Sequence, residues 1–85
     1  MINILYFSTK TCMPCKAFKP VATEAASETG ANISFVDAHD NPSMASAYSV
    51  TSVPTLVFLK GGHVVDRTTG AMPKQLLVNK IRSHS

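Results

Sequence analysis

Asn3 to Ser8, NILYFS, is an almost unbroken run of apolar and aromatic residues that stops at the polar Thr9-Lys10-Thr11. A continuous apolar run reads as a strand covered on both faces, and so as a central strand of a sheet. From Cys12 onward the pattern changes. Phe18, Val21, Ala22, Ala25 and Ala26 recur at the spacing of one helical face until Gly30, whose tolerance of positive φ makes it a natural stop. The spacing predicts one helix with both cysteines at its N-terminal end. Pro20 falls inside it, removes a backbone donor and is expected either to kink the helix or to end a shorter first one.

Asn32 to Ala38, NISFVDA, reads as a second strand, and NPSMASAYSV as a short helix with Asn41 as its cap and Pro42 in its first turn. The β-α-β order implies a parallel pair joined by a crossover. Thr55 to Lys60, then Gly61-Gly62, then HVVDRTT, has the two-residue glycine turn of a hairpin and predicts two antiparallel strands. The last segment, MPKQLLVNKIRS, has Pro73 near a helix start and Leu77 and Ile81 one turn apart with Leu76 beside them, an amphipathic closing helix. The sum is an α/β chain, β-α-β-α-β-β-α, with a four-stranded mixed sheet flanked by helices.

At 85 residues the chain has room for one small domain, expected to span 1–85. Hydrophobic residues make up 45% and charged residues 15%, which suits a globular domain and argues against disorder. The longest apolar stretches, Ile2 to Phe7 and Leu56 to Leu59, are too short to cross a bilayer, so no membrane partner is expected. The opening MINILYF has neither a basic leader nor a small-residue cleavage site, so a cytoplasmic, reducing compartment is the expectation. The net charge of +3 is scattered, with Lys10, Lys16 and Lys19 the only local cluster and no aromatic-rich basic run beside it. A solvated basic face accounts for it, and no nucleic-acid partner is expected.

The only two cysteines, Cys12 and Cys15, lie in KTCMPCK with a proline between them. A zinc site needs about four ligands, and His39, His63 and His84 lack the close spacing that would complete one; each reads as a surface or loop residue. A structural disulfide closes too short a loop to remove much unfolded-state entropy, and a reducing compartment would keep it open. A redox-active dithiol has a mechanism. A cysteine where a strand turns into a helix faces free backbone N–H groups and the positive end of the helix dipole, which favour thiolate over thiol. Cys12 is then the attacking sulfur, and Cys15, one turn on, resolves the mixed disulfide it forms. Pro14 deletes an N–H beside the sulfurs and helps hold the pair, or is simply a first-turn proline. Met13 offers a flexible apolar contact beside the nucleophile, or a passive surface residue. Lys10 and Lys16 flank the pair and read first as exposed, solubilising residues, since such charges are heavily screened.

On these residues the chain resembles the thioredoxin family: CMPCK is similar to its CGPCK centre, and TSVPTLVFLKGGHVV resembles its xxxPTxxxFxxG segment. DAHDNPSMASAYSVTSVPT has the family's spacing as well, and the resemblance runs nearly end to end. It implies that Pro54 follows a cis peptide bond beside the cysteines and that the backbone of Val53 pairs with an extended substrate segment. It also implies that Gly70 and Ala71 complete the groove; without it they read as an ordinary turn.

The departures from the family are as informative. The chain begins at the strand leading to the cysteines, so the strand and helix that open a full-length member are expected to be absent, leaving the size of a glutaredoxin. The family's two tryptophans fall at Ser8 and Thr11. Its buried aspartate falls at Tyr6, and the lysine partner of that aspartate at Phe35. A phenol titrates too high to replace a carboxylate as acceptor of the Cys15 proton, and Asp37, at a strand end, reads as a solvated or capping residue. Solvent, or the thiolate leaving the mixed disulfide, is left as the acceptor. The resemblance implies a monomeric protein-disulfide reductase without a bound cofactor. Its implied partners are protein disulfides, ribonucleotide reductase among the candidates, and a thioredoxin-reductase-like electron donor. Two rivals stand beside it. One is a glutathione-recycled, glutaredoxin-like reductase, although the aromatic residue of the CPYC centre is missing. The other is a docking subunit in which the dithiol is incidental.

Overall fold

In the computed structural model, which describes residues 1–85, the apolar run forms strand β1 (Ile2–Ser8), and Gly30 closes helix α1 (Met13–Thr29). Gly30 adopts φ +73°, and the N–H of Ala31 reaches back to the Ala26 carbonyl at 3.0 Å, the paired closure that left-handed glycines permit. The helix runs through Pro20 without ending. Pro20 and Lys16 both face solvent, so water can meet the Lys16 carbonyl that proline leaves without a donor.

Strand β2 (Asn32–Asp37) pairs in parallel with β1. Helix α2 (Pro42–Ala47) follows, then β3 (Thr55–Lys60), antiparallel to β1, and β4 (His63–Thr69), antiparallel to β3. The sheet order is β2-β1-β3-β4, which makes β1 an interior strand as its composition predicts. Gly61 and Gly62 both take positive φ, +59° and +81°, as a tight two-residue hairpin turn requires. Past that turn, Leu59 opposes Val64 while Phe58 opposes Asp66, so Val65 is an extra residue on β4. Such a bulge twists an edge strand away from further pairing.

Period-2 alternation sends β1 side chains to two different cores. Ile2, Ile4 and Tyr6, with Leu56 and Phe58 of β3, pack against Phe18, Ala22, Ala25 and Ala26 of α1 and against helix α3 (Lys74–Ser83). The alanines let α1 lie close to the sheet. Phe7, Val57, Val36 and Ala45 form a second cluster on the opposite face, joined by Leu5, Tyr48 and Val50. Because α2 is only 6 residues long, it covers one end of that face and leaves Asn3 exposed.

Two expectations are corrected. Leu76 is 57% exposed, and Val78 joins Leu77 and Ile81 in the core instead, because the buried stripe of α3 turns the other way from position 77. Asn41 stands at the α2 cap position but makes no capping bond. Its amide donates to the Asp37 carbonyl at 3.0 Å, while Asp37 Oδ1 accepts the N–H groups of His39 and Asp40 at 2.8 and 3.1 Å. Asp37 is thus the residue that organises this turn, in the capping role its strand-end position suggests.

Helix α3 and the residue that follows it are tied to their neighbours by polar contacts. Lys74 meets Glu28 of α1 at 2.8 Å, and Asp66 receives both Lys80 and His84 at 2.8 Å. His84 is therefore half-buried against a carboxylate, whereas His39 and His63 are exposed.

Candidate active site

Cys12 is the N-cap of α1, in extended conformation at φ −81° and ψ 101°, and its Sγ accepts the Cys15 N–H at 3.1 Å. A sulfur thus takes the place that a serine or aspartate oxygen commonly holds, facing the unpaired donors of the first turn. Pro14, in that same turn, contributes no N–H. Cys15 is 2% exposed while Cys12 is partly open, and the two are joined in a disulfide with Cα atoms 5.2 Å apart. Met13 projects beside them, 68% exposed.

The strand register brings the remaining predicted residues to this end of the sheet. Phe7, just before the cysteine loop, opposes Thr55, and Thr55 opposes Thr69. The Val53-Pro54 bond is cis, and Pro54 is buried. The Gly70 N–H donates to the Pro54 carbonyl at 2.8 Å, and Thr55 Oγ1 donates to the Ser52 carbonyl at 2.7 Å, so the loop is held from both sides. Gly70 has φ +80°, a conformation that suits glycine. Val53 is different: neither its N–H nor its C=O has a hydrogen-bond partner within the chain. An open cleft of about 660 Å³ runs from Thr9 past His39 and Thr51 to Val53. Ala71 is exposed.

Behind Cys15 the surroundings come from β1, β2 and the next turn of α1. The buried Tyr6 hydroxyl donates to the Cys15 carbonyl at 2.6 Å, and burial raises the Tyr6 pKa above its ordinary 10.0. The Tyr6 ring lies 5.9 Å from Phe18 and 5.3 Å, edge-on, from Phe35. Lys19 Nζ sits 4.5 Å above the Phe35 ring, a cation on an aromatic face. A hydroxyl–aromatic–ammonium stack therefore occupies the place where the family has an aspartate and a lysine. Lys10 pairs with Asp40 at 3.7 Å with both groups largely exposed, which is worth little.

The Tyr6–Cys15 bond was not part of the sequence expectation. Its signal was present: alternation in β1 puts Tyr6 with Ile2 and Ile4 on the α1 side, and a buried phenol requires a partner. The Lys19–Phe35 contact had no such signal, since it depends on how β2 sits against α1. No three His, Cys, Asp or Glu side chains converge as a metal site would need. No helix is long and apolar enough to cross a membrane.

A cysteine pair joined at a helix N-terminus, with a cis-proline loop held at the same end of the sheet, defines a thiol–disulfide oxidoreductase. The family model described as Thioredoxin matches residues 2–83, and the chain belongs to the thioredoxin family. It is 39% identical to a thioredoxin of Staphylococcus saprophyticus over 85 residues, covering 98% of this chain and 82% of the relative. It is 38% identical to a thioredoxin of Chlorobaculum thiosulfatiphilum, covering 92% and 74%. Among solved structures, a mutant thioredoxin from Halobacterium salinarum superposes with a TM-score of 0.92 at 33% identity, over 96% of this chain and 73% of the other. The thioredoxin of Fasciola hepatica does so at 0.89 and 34%, over 99% and 81%. Membership brings with it protein disulfide substrates and a reductase that resupplies electrons.

Proposed function

We propose that Cys12 attacks substrate disulfides and Cys15 resolves the product. The carrying observation is the asymmetry of the pair: Cys12 is partly open and accepts a helix N–H, while Cys15 is buried. The Cys12 thiolate attacks one sulfur of the substrate disulfide, forms a mixed disulfide and releases the first substrate thiol. Cys15 then attacks Cys12 Sγ, the second substrate thiol leaves, and the protein keeps the disulfide. Two electrons have passed to the substrate, and a flavin-dependent reductase of the thioredoxin-reductase class returns them to the protein.

The unpaired backbone of Val53 supports an extended substrate segment at the rim of the cleft, a short β-addition that sets the target disulfide over Cys12. In this reading Pro54, Gly70 and Ala71 flank the segment on one side and the exposed Met13 and Pro14 on the other; of the proposed contact residues, Val53 alone lines the cleft itself. Substrates are folded proteins with accessible disulfides, reductive enzymes such as ribonucleotide reductase among them. The protein acts as a cytoplasmic monomer of a single domain.

Alkylation of Cys12 followed against pH, together with reduction of insulin coupled either to thioredoxin reductase or to glutathione, tests this reading. The expected outcome is a Cys12 thiol titrating below the free value of about 8.5 and turnover with the flavoenzyme as donor. A Cys12 that titrates as a free thiol, with no turnover from either donor, would overturn it. Turnover with glutathione alone would transfer the protein to glutathione-linked chemistry.

A further inference from the structure

A second cavity, of about 170 Å³, opens behind Cys15 and reaches to Asp37 at the end of β2. It lies beside the cleft at Val53, sharing Thr9 with it, and holds room for several waters. The groups on its wall differ in whether they can take the Cys15 proton. Lys10, Lys16 and Lys19 line it, and ammonium groups donate only. Tyr6 lines it too, but its hydroxyl is committed to the Cys15 carbonyl, and a phenol is a poor base at neutral pH. Ser8 and Thr9 offer only hydroxyls. Asp37 is the one carboxylate. Its Oδ1 is taken by two backbone N–H groups, and Oδ2 has no partner within the chain. A further recess of about 330 Å³ brings His39 and Asp40 near it, with Asp40 paired to Lys10.

We infer that Asp37, through water in this cavity, accepts the proton of Cys15 during resolution. This rests on the roles of Cys12 and Cys15 proposed above. In the mixed disulfide, Cys15 Sγ loses its proton by way of water to Asp37 as it bonds to Cys12 Sγ. The bond from Cys12 to the substrate sulfur breaks, and its electron pair leaves with that sulfur. Asp37 then returns the proton through water to the departing thiolate. No other redox partner is needed in this step. The carboxylate enters from the end of β2 instead of from β1, and Tyr6 serves as a positioning residue that holds the Cys15 turn.

Rapid mixing of the reduced protein with dithiobis(nitrobenzoate) separates the two events, because each releases one coloured nitrothiobenzoate. The first phase is attack by Cys12 and the second is resolution by Cys15. Asp37→Asn is the informative variant, since the amide oxygen can still accept the N–H groups of His39 and Asp40. The expected result is an unchanged first phase and a second phase slowed about 100-fold at neutral pH, recovering as pH rises. Asp66→Asn, away from the cavity on β4, leaves both phases unchanged.

The wild-type protein gives an independent reading should Asp37→Asn fail to fold. With a carboxylate acceptor, the second-phase rate is level from about pH 5 to about pH 8. A tenfold rise per pH unit across that range, or an Asp37→Asn protein whose second phase matches wild type, would overturn the inference. Loss of the first phase in the wild type would instead overturn the roles of the cysteines.

Discussion

The two sulfurs are three residues apart, yet the surroundings of Cys12 are local backbone and those of Cys15 are brought in from two strands. Around Cys12, the helix cap and the Cys15 N–H follow from the chain's own turn into α1. Around Cys15, Tyr6 comes from β1 and Phe35 and Asp37 from β2, while Lys16, Phe18 and Lys19 come from the same helix. The attacking sulfur can therefore retain the family's chemistry while the site of the resolving one is rebuilt. In a buried site an unpaired carboxylate is costly, so exchanging the aspartate for Tyr6 and the lysine for Phe35 replaces charge with packing and a single neutral hydrogen bond.

The largest effect separates the sulfurs outright. Cys12→Ser is expected to abolish disulfide reduction, whereas Cys15→Ser attacks once and accumulates a mixed disulfide visible by mass spectrometry. Full turnover by either variant would break the division of roles.

Next in size, Tyr6→Asp restores the family's carboxylate beside Phe18 and Phe35 with no lysine at position 35. It is expected to destabilise the fold by about 3 kcal/mol or more, read by urea unfolding. The double variant Tyr6→Asp, Phe35→Lys is expected to recover a substantial part of that loss, which tests whether the two positions act as a unit.

Tyr6→Phe removes only the hydroxyl bonded to Cys15 and is expected to cost about 1 kcal/mol. The second-phase pH profile with dithiobis(nitrobenzoate) should keep its wild-type shape, because Tyr6 positions the turn and takes no proton. The folded-state pKa of Tyr6 is raised, so its contribution is whole below the ordinary 10.0 and declines as pH rises beyond it. Tyr6→Phe should show a flatter alkaline limb.

The smallest effect lies away from both sulfurs. The Lys80 hydrogen bond, joined by those from His84 and the Arg67 N–H, lowers Asp66 from 3.8 to about 2. A depressed carboxyl contributes stability that is complete above its unfolded pKa and lost as pH falls through the folded one, here between about pH 4 and pH 2. Asp66→Asn is expected to cost about 1 kcal/mol at neutral pH and to flatten the acid limb, with both sulfur phases unchanged. A slowed second phase in this variant would show that the two ends of the sheet are coupled.

Much of the fold was legible because each element carries its own periodic signal. The unbroken run at β1, the helical stripe from Phe18 to Ala26 and the Gly61-Gly62 turn each specify structure within a few residues. Misreadings fell where a neighbour decides. Leu76 and Val78 are equally apolar, and only the docking of α3 on α1 selects which is buried. Asn41 looks like a cap, but the Asp37 turn engages its amide first.

The active site divides along the same line. The sequence alone determined the cysteine pair and its place at a helix start, because caps, turns and motif spacing act over a few bonds, while the cis bond before Pro54 was expected only from the family resemblance. Tertiary structure alone decided what faces Cys15. The Tyr6 hydroxyl bond, the Lys19–Phe35 stack and the cavity leading to Asp37 exist only once β1 and β2 lie side by side under α1, since contacts between residues distant in the chain depend on packing and not on local order.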